Sequence, residues 1–210
     1  MISGLYAVTP DEADTEVLLA KVEGALKGGA SILQYRNKSA SFGLQVEQAR
    51  EILPLCKQYQ VPLIINDSVE LCLMLGADGV HIGTDDGNIA EVRAQLGADK
   101  ILGASCYNRF DLALNAQQAG ASYVAFGACF ASSTKPHAPV ATLDLFTQAK
   151  AQLSIPAVAI GGISLINASS VINAGADSIA VINAIFSADD VKLSTQQFAQ
   201  LFKESNIKAS

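Results

Sequence analysis

Hydrophobic residues in this chain follow two alternating patterns, a helical periodicity and short apolar runs with few polar interruptions. A three-residue phrase, Gly-Ala followed by Ser or Asp, precedes an apolar run five times, beginning at residues 29, 76, 97, 120 and 175. Because glycine readily adopts the left-handed conformation that closes helices, the phrase indicates helix ends from which the chain turns into a buried strand. Two further apolar runs follow Pro62 and Pro156, where proline stops the preceding helical pattern.

Eight strands are predicted, each followed by a helical pattern, at residues 3–8, 31–36, 62–66, 78–82, 100–105, 122–127, 156–160 and 177–182. Their apolar runs are nearly continuous, which is typical of parallel strands that are covered on both faces. Eight strand–helix units fit a (β/α)8 barrel of the TIM type. A doubly wound open sheet, the alternative, normally has fewer strands. Since no linker or low-complexity segment divides the chain, we expect residues 1–210 to form a single α/β domain.

The composition excludes several classes of protein. Half of the 210 residues are hydrophobic and only 16% are charged, so the chain can bury a large core and is not disordered. The net charge of -6 argues against general nucleic-acid binding, which needs a basic surface. No apolar run approaches the roughly 18 residues of a membrane span, and the amino terminus lacks the basic start of a signal peptide.

The cysteines indicate the compartment. None of the four belongs to a Cys-x-x-Cys pair, and each lies in or beside an apolar segment. We therefore expect Cys56, Cys72, Cys106 and Cys129 to be buried free thiols of a cytoplasmic protein. A homo-oligomer remains an alternative to a monomer.

Polar side chains gather where the predicted strands end, which is where a (β/α)8 barrel carries its chemistry. Arg36 and Lys38 leave the second strand at alternate positions and so point the same way, which suits a shared anion. Both could instead be ordinary surface charges. Asp67 and Asp86 follow the third and fourth strands and could share a divalent cation such as Mg2+. Each could instead cap the following helix, a position that Asp favours.

The histidines and one glycine pair have alternative interpretations too. His81 lies inside the fourth strand among apolar residues, which favours a packed, hydrogen-bonded core histidine over a catalyst. His137 lies in a proline-flanked loop, and neither histidine has a Ser or Cys partner at a recognisable triad spacing. Gly161 and Gly162 follow the seventh strand, where barrels frequently bind phosphate.

The ordered set of motifs resembles the thiamine phosphate synthase family. It consists of Gln-x-Arg-x-Lys at residues 34–38, IINDSVELCLMLGADGVHIG at 64–83, Ser-x-Thr-Lys at 132–135 and AIGGI at 159–163. The resemblance extends from LYAVT near the start to IAVINAIF near residue 186. It implies a (β/α)8 enzyme that joins 4-amino-2-methyl-5-hydroxymethylpyrimidine diphosphate to 4-methyl-5-hydroxyethylthiazole phosphate or its carboxylate. The implied products are thiamine phosphate and diphosphate, and the implied cofactor is Mg2+.

The resemblance also implies residue roles. Asp67 and Asp86 match magnesium ligands. The residues that match positions around the pyrimidine diphosphate are Gln34, Arg36, Lys38, Asn66, Ser105 and Lys135. Of these, the candidate catalytic residues are Arg36, Lys38, Ser105 and Lys135. The residues that match positions around the thiazole phosphate are Ser132, Ser133, Thr134, Gly162, Ile182 and Asn183. Tyr35 and Asn37, in the strand-2 motif, complete the candidate substrate-binding set.

The implied reaction agrees with these residue types. Loss of diphosphate from an electron-rich pyrimidine needs positive charge on the leaving group more than it needs a strong base. We therefore expect the loop at residues 127–139 to span two substrates, with Lys135 on the diphosphate and the preceding hydroxyls on the thiazole phosphate. Two alternatives are a related thiazole tautomerase, which has a histidine where this chain has Tyr107, and a non-catalytic barrel that binds a thiamine precursor.

Overall fold

A closed barrel of eight parallel strands forms the centre of the molecule. The computed structural model describes residues 2–131 and 140–208, with side chains described up to Glu204. Each strand pairs with its neighbours in the chain, and β8 pairs with β1. The strands are β1 (Gly4–Val8), β2 (Ile32–Tyr35), β3 (Leu63–Asn66), β4 (Gly79–Ile82), β5 (Ile101–Tyr107), β6 (Tyr123–Phe126), β7 (Ala157–Ile160) and β8 (Ser178–Val181). The predicted (β/α)8 fold is confirmed, and the predicted strands differ from the observed ones by one residue at one or both ends, except that β5 continues to Tyr107.

Helices cover the outside of the barrel. They are α1 (Thr15–Lys27), α2 (Phe42–Tyr59), α3 (Val69–Leu75), α4 (Ile89–Leu96), α5 (Phe110–Gln118), α6 (Asp144–Gln152), α7 (Ala168–Asn173), α8 (Asn183–Phe186) and α9 (Val191–Lys208). The helical pattern at residues 42–59 corresponds to α2 over its whole length. The short α8 has no counterpart among the patterns, because four residues are too few to show a helical period.

The barrel has two apolar cores because successive strand residues point to opposite sides of the sheet. The outer core packs the strands against the helices and includes Leu33, Ile65, Val124, Leu18 and Ile52. The inner core fills the barrel and includes Tyr6, Ile32, Ile64, Tyr123 and Val158. A barrel of this size is filled by its own side chains, so ligands bind at its ends.

The repeated Gly-Ala-Ser/Asp phrases lie at the amino-terminal end of the barrel, where they connect neighbouring strands. The glycine of each phrase has a positive φ, between 67° at Gly76 and 111° at Gly175. In three phrases the third residue accepts a hydrogen bond of 2.8–3.0 Å from a backbone N–H at the start of the preceding strand. These bonds join Asp78 to Leu63, Ser122 to Leu102 and Asp177 to Ala157. The phrase therefore ends a helix and also fixes the start of a strand.

The predicted state of the cysteines is confirmed, since all four are buried free thiols. Burial raises the pKa of Cys56 to about 12 and that of Cys72 to about 11, so both remain protonated at neutral pH. Within residues 2–131 and 140–208, no helix combines the length and the hydrophobicity that a membrane span requires.

Candidate active site

The loop after β2 is held by the loop after β1, at the carboxyl-terminal end of the barrel. The buried hydroxyl of Thr9 donates to the carbonyl of Arg36 and accepts from the Arg36 N–H, both at 2.8 Å. Oδ1 of Asp11 accepts from Nη1 of Arg36 at 3.0 Å and from the backbone N–H of Lys38 at 2.8 Å. These four bonds fix the path of the chain that carries both cations.

Charged groups from three strand ends meet beside this loop. Nζ of Lys38 lies 2.9 Å from Oδ2 of Asp67, and the Asp67 carboxyl is near enough to the Asp86 carboxyl to affect its pKa. Oδ2 of Asp86 also accepts from the N–H of Gly83 at 2.8 Å. Partial desolvation raises the pKa of Asp86 above its ordinary value, the Asp67 carboxyl adds to that rise, and the Gly83 bond opposes it. The predicted metal-binding pair is thus adjacent.

Neither Asp67 nor Asp86 caps the helix that follows it. The N-cap of α3 is Ser68, whose hydroxyl accepts a backbone N–H of the first turn at 3.1 Å. The N-cap of α4 is Asn88, whose side chain accepts two backbone N–H groups. The capping alternative is therefore wrong for both residues, and their carboxylates are not needed to begin a helix.

A cleft of about 330 Å³ opens between the loops after β2 and β3. Arg36, Lys38, Asn66 and Asp67 line it. Its size is at the lower end of the range for small-molecule sites. The cleft thus brings two cations and one of the paired carboxylates to a single concave surface.

Tyr35 and Asn37 also line this cleft, but their polar groups are bonded inside the protein. The Tyr35 hydroxyl donates to Oε1 of Gln48 at 2.8 Å. Nδ2 of Asn37 donates to the same oxygen at 3.0 Å and to the Glu12 carbonyl. Both side chains are nearly fully buried. The structure therefore gives them a role in holding the loop, and their contact with substrate stays a prediction.

Gln34 and Ser105 are joined through the inner core by a series of hydrogen bonds, which we call the polar chain. Nε2 of Gln34 lies 2.9 Å from the Tyr6 hydroxyl, which lies 2.8 Å from the Tyr123 hydroxyl. The Tyr123 hydroxyl lies 2.9 Å from Nδ1 of His81, and Nε2 of His81 lies 2.9 Å from Oγ of Ser105. Burial lowers the pKa of His81 to about 4, so the ring is neutral at pH 7. The prediction of a hydrogen-bonded core histidine is confirmed.

The glycine pair after β7 gives the loop after β6 room to approach. A Cβ on Gly161 would lie 2.6 Å from Cα of Ala128, and one on Gly162 would lie 2.6 Å from the carbonyl oxygen of Phe130. The N–H of Phe130 donates to the Gly161 carbonyl at 3.0 Å. This close approach explains why both positions are glycine, and the predicted phosphate contact of Gly162 stays a prediction.

The remaining predicted residues lie near the ends of β6 and β8. Ile182 follows β8 and packs against the inner core, and Asn183 begins α8. The N–H of Ala141 donates to the carbonyl of Ala128 at 2.8 Å, which joins the two described ends of the loop after β6. The predictions for Ser132, Ser133, Thr134, Lys135 and His137 fall outside the described residues.

Sequence reasoning missed four residues that support this site. Asp11 and Thr9 follow β1 and had the same signal that singled out Asp67, since polar residues after a barrel strand lie at the functional end. Tyr6 and Tyr123 are 117 positions apart and lie inside apolar runs. The neighbouring sequence gives no signal that distinguishes these two hydroxyls from that of any other tyrosine in a core.

A (β/α)8 barrel that gathers cations and paired carboxylates at the carboxyl ends of its strands belongs to the class of barrel enzymes. In such a site the cations suit a phosphorylated ligand, and the carboxylates suit a divalent metal ion.

Comparison with known proteins identifies the family within that class. A family model described as thiamine monophosphate synthase matches residues 5–185. The thiamine-phosphate synthase of Methylobacillus flagellatus is 57% identical over 201 residues, which are 96% of each chain. That of Chromobacterium violaceum is 53% identical over 201 residues, 96% of this chain and 97% of the relative. The solved thiamine phosphate pyrophosphorylase from Pyrococcus furiosus has a TM-score of 0.86 and 33% identity, with 96% of each chain covered. The chain belongs to the thiamine monophosphate synthase family, as its motifs predicted.

Proposed function

We propose that the chain is a transferase that joins 4-amino-2-methyl-5-hydroxymethylpyrimidine diphosphate to 4-methyl-5-hydroxyethylthiazole phosphate or its carboxylate. The products are thiamine phosphate and diphosphate. The family match over residues 5–185 supports this reaction. The observation that carries it in the site is the convergence of Lys38, Asp67 and Asp86 from three strand ends. We place the enzyme in the cytoplasm, where its four buried thiols stay reduced.

Asp67 and Asp86 fit a magnesium ion. Mg2+ typically takes one or two protein carboxylates and completes its shell with substrate phosphate oxygens and water. Partial desolvation is the main cause of the raised pKa of Asp86, and the neighbouring Asp67 carboxylate adds to the rise by repulsion. A shared cation would relieve that repulsion. Bound Mg2+ would supply positive charge next to the leaving diphosphate.

The proposed reaction breaks the bond between the pyrimidine methylene carbon and a diphosphate oxygen, and the electron pair leaves with the diphosphate. The thiazole nitrogen then donates its lone pair to the same carbon, so no proton has to be transferred. A carboxylated thiazole additionally loses CO2, and the carbon that carried the carboxylate then takes up one proton from solvent. Negative charge grows on the leaving oxygen, so the site needs cations rather than a strong base. We assign this role to Arg36 and Lys38, with Lys135 in the same role.

The substrates are proposed to occupy different sectors of the barrel end. Gln34, Asn66 and Ser105, from β2, β3 and β5, are assigned to the pyrimidine diphosphate. The residues assigned to the thiazole phosphate are Ser132, Ser133, Thr134, Gly162, Ile182 and Asn183. The region after strands 7 and 8, where the last three of these lie, frequently binds phosphate in barrels of this type. Tyr35 and Asn37 are assigned to the shape of the loop, because Gln48 holds both of their side chains.

The direct test is to mix purified protein with Mg2+, the pyrimidine diphosphate and each thiazole phosphate in turn. Thiamine phosphate and diphosphate should form in equal amounts, and Asp67→Asn should abolish most of the product at the same protein concentration. A protein that retained the pyrimidine diphosphate without releasing diphosphate would be a binding protein. One that isomerised the carboxylated thiazole without consuming the pyrimidine would be a tautomerase. Either result would contradict the proposed function.

A further inference from the structure

The polar chain has a direction because one of its ends can only donate. Nε2 of Gln34 donates to the Tyr6 hydroxyl. Tyr6 must then give its own hydrogen to Tyr123, its other hydrogen-bond partner within the described residues. Tyr123 in turn donates to Nδ1 of His81, so His81 carries its hydrogen on Nε2 and donates to Oγ of Ser105.

The reverse direction would leave a buried hydrogen without an acceptor. If Ser105 donated to His81, Tyr123 would have to donate to Tyr6, which already receives the Gln34 amide hydrogen. Both hydrogen-bond partners of the Tyr6 hydroxyl, Gln34 and Tyr123, would then be donors, and its own hydrogen would have no acceptor among them. Tyr6 is 1% exposed and Tyr123 is 0% exposed. Buried donors without acceptors are rare in proteins because they lose their bonds to water and gain nothing in exchange.

The fold makes room for the middle of the polar chain at one position of β5. A Cβ at Gly103 would overlap the Tyr123 hydroxyl and Nδ1 of His81. The ring of His81 also stacks on that of Tyr123, with centroids 5.5 Å apart and an interplanar angle of 24°. The hydrogen bond between Tyr123 and His81 is therefore fixed in place by the stacking of the two rings and by the space that Gly103 leaves.

We propose that Gln34, Tyr6, Tyr123 and His81 are positioning residues that fix Ser105 as a hydrogen-bond donor toward the bound substrate. Ser105 accepts from His81 and is only partly buried at the end of β5, so its own hydrogen remains available to a ligand. An oxygen of the diphosphate or a ring nitrogen of the pyrimidine has the acceptor chemistry that such a hydroxyl recognises. The functional part of this proposal rests on the assignment of Ser105 to the proposed active site.

The tautomer of His81 tests the direction of the polar chain without any assay of activity. The chain contains only two histidines, His81 and His137, so protein labelled with 15N-histidine gives few ring signals. The variant His137→Asn assigns them. We expect the neutral Nε2–H tautomer for His81 at pH 7. The Nδ1–H tautomer in the unmodified protein would overturn the proposal, and this measurement does not depend on whether any variant folds.

Two variants test whether the tautomer of His81 is set by Tyr123 or by Ser105. Tyr123→Phe removes the donor to Nδ1, so His81 should lose its preference and populate both tautomers. Ser105→Ala is the control, because it removes the group at the far end and should leave the Nε2–H tautomer in place. An unchanged tautomer in Tyr123→Phe would contradict the proposal, as would a switch to Nδ1–H in Ser105→Ala.

A double-mutant cycle tests whether the polar chain acts on catalysis through Ser105. Ser105→Ala should lower kcat by about 10- to 100-fold, the effect of one hydrogen bond to a charged group. Tyr123→Phe should lower kcat by a smaller factor alone and by no further factor in the Ser105→Ala background. If the double variant lost kcat by the product of the two single factors, Tyr123 would have a general structural role, and the proposal would be overturned. If the protein formed no thiamine phosphate, the proposed function would fail while the tautomer measurement still tested the polar chain.

Discussion

The two ends of the barrel contain the same types of charged side chain but give them different partners. At the amino-terminal end, Arg93 of α4 donates four hydrogen bonds, to the carbonyls of Gly97, Lys100 and Gly120 and to the hydroxyl of Ser122. At the carboxyl-terminal end, Lys38 pairs with Asp67, and the Asp67 carboxyl helps to raise the pKa of a neighbouring carboxyl, that of Asp86.

The difference lies in the kind of partner, which is mainly backbone at the amino-terminal end and charged side chains at the carboxyl-terminal end. Backbone partners are parts of strands and turns, so losing such a bond removes support from the barrel. A cluster of charged side chains on loops can exchange its internal pairs for a ligand, and the raised pKa of Asp86 means that the cluster is not optimised for stability. We therefore expect substitutions at the amino-terminal end to lower stability and those at the carboxyl-terminal end to lower activity.

The largest effect is expected for Lys38→Met. The variant keeps most of the side-chain length and removes the charge that stabilises the leaving diphosphate, so kcat/KM should fall by about a hundredfold or more. The free energy of unfolding should change by less than about 1 kcal/mol, because the pair with Asp67 is solvent-exposed. Lys27→Met, which removes the exposed pair with Glu23, is the matched control and should leave kcat/KM unchanged. Equal kinetics for the two variants would remove Lys38 from the site.

Arg93→Met should have the largest effect on stability. It removes one donor from each of three carbonyls and one hydroxyl, so the free energy of unfolding should fall by about 2–4 kcal/mol. For a chain of this size that loss lowers Tm by about 5–15 °C. Thermal unfolding of Arg109→Met supplies the control, since the exposed pair of Arg109 with Asp111 contributes little. Below its Tm the Arg93→Met enzyme should keep its kcat. A large loss of kcat would contradict the claim that the amino-terminal end contributes to stability rather than to activity.

Ser122→Ala is a milder test of the same end. The substitution removes the hydroxyl that accepts from the N–H of Leu102 and from Arg93. Denaturant unfolding should report a loss of about 1 kcal/mol in stability. A loss as large as that of Arg93→Met would mean that the serine, rather than the arginine, organises this end of the barrel.

The smallest effect concerns the pH dependence of stability at the other end. The folded-state pKa of Asp86 is raised, so its ionisation destabilises the fold at pH values above that pKa, and the effect disappears as the pH falls below the unfolded-state pKa. Asp86→Asn should therefore match the parent protein at acidic pH and be more stable than it at neutral pH, by less than about 1 kcal/mol because the residue is exposed. Unfolding without metal ions at several pH values measures this difference. A variant that was less stable at neutral pH would contradict it.

The fold was predictable because its signals are local. The Gly-Ala-Ser/Asp phrases mark five helix ends, and the continuous apolar runs mark each of the eight strands to within two residues. The gathering of Arg36, Lys38, Asp67 and Asp86 at one end was predictable as well, since parallel strands present their carboxyl ends together.

Other features of the site depend on choices that the sequence leaves open. Ser68 and Asn88 compete with Asp67 and Asp86 as helix caps, and all four are residue types that favour the N-cap position. The polar chain needs five side chains from five different strands to meet inside the barrel. Such contacts are set by the register of the closed barrel rather than by any stretch of sequence.

The most direct test of the contrast between the two ends is one substitution made at each end. Asp177→Ala removes the acceptor for the N–H of Ala157, and Asp86→Ala removes one of the paired carboxylates. Both kcat/KM for thiamine phosphate formation and the free energy of unfolding should be measured for each variant. We expect Asp177→Ala to lose about 1–2 kcal/mol of stability with kcat/KM nearly unchanged, and Asp86→Ala to lose at least about a hundredfold in kcat/KM with a smaller change in stability. Two variants that lost stability and activity in the same proportion would contradict the account.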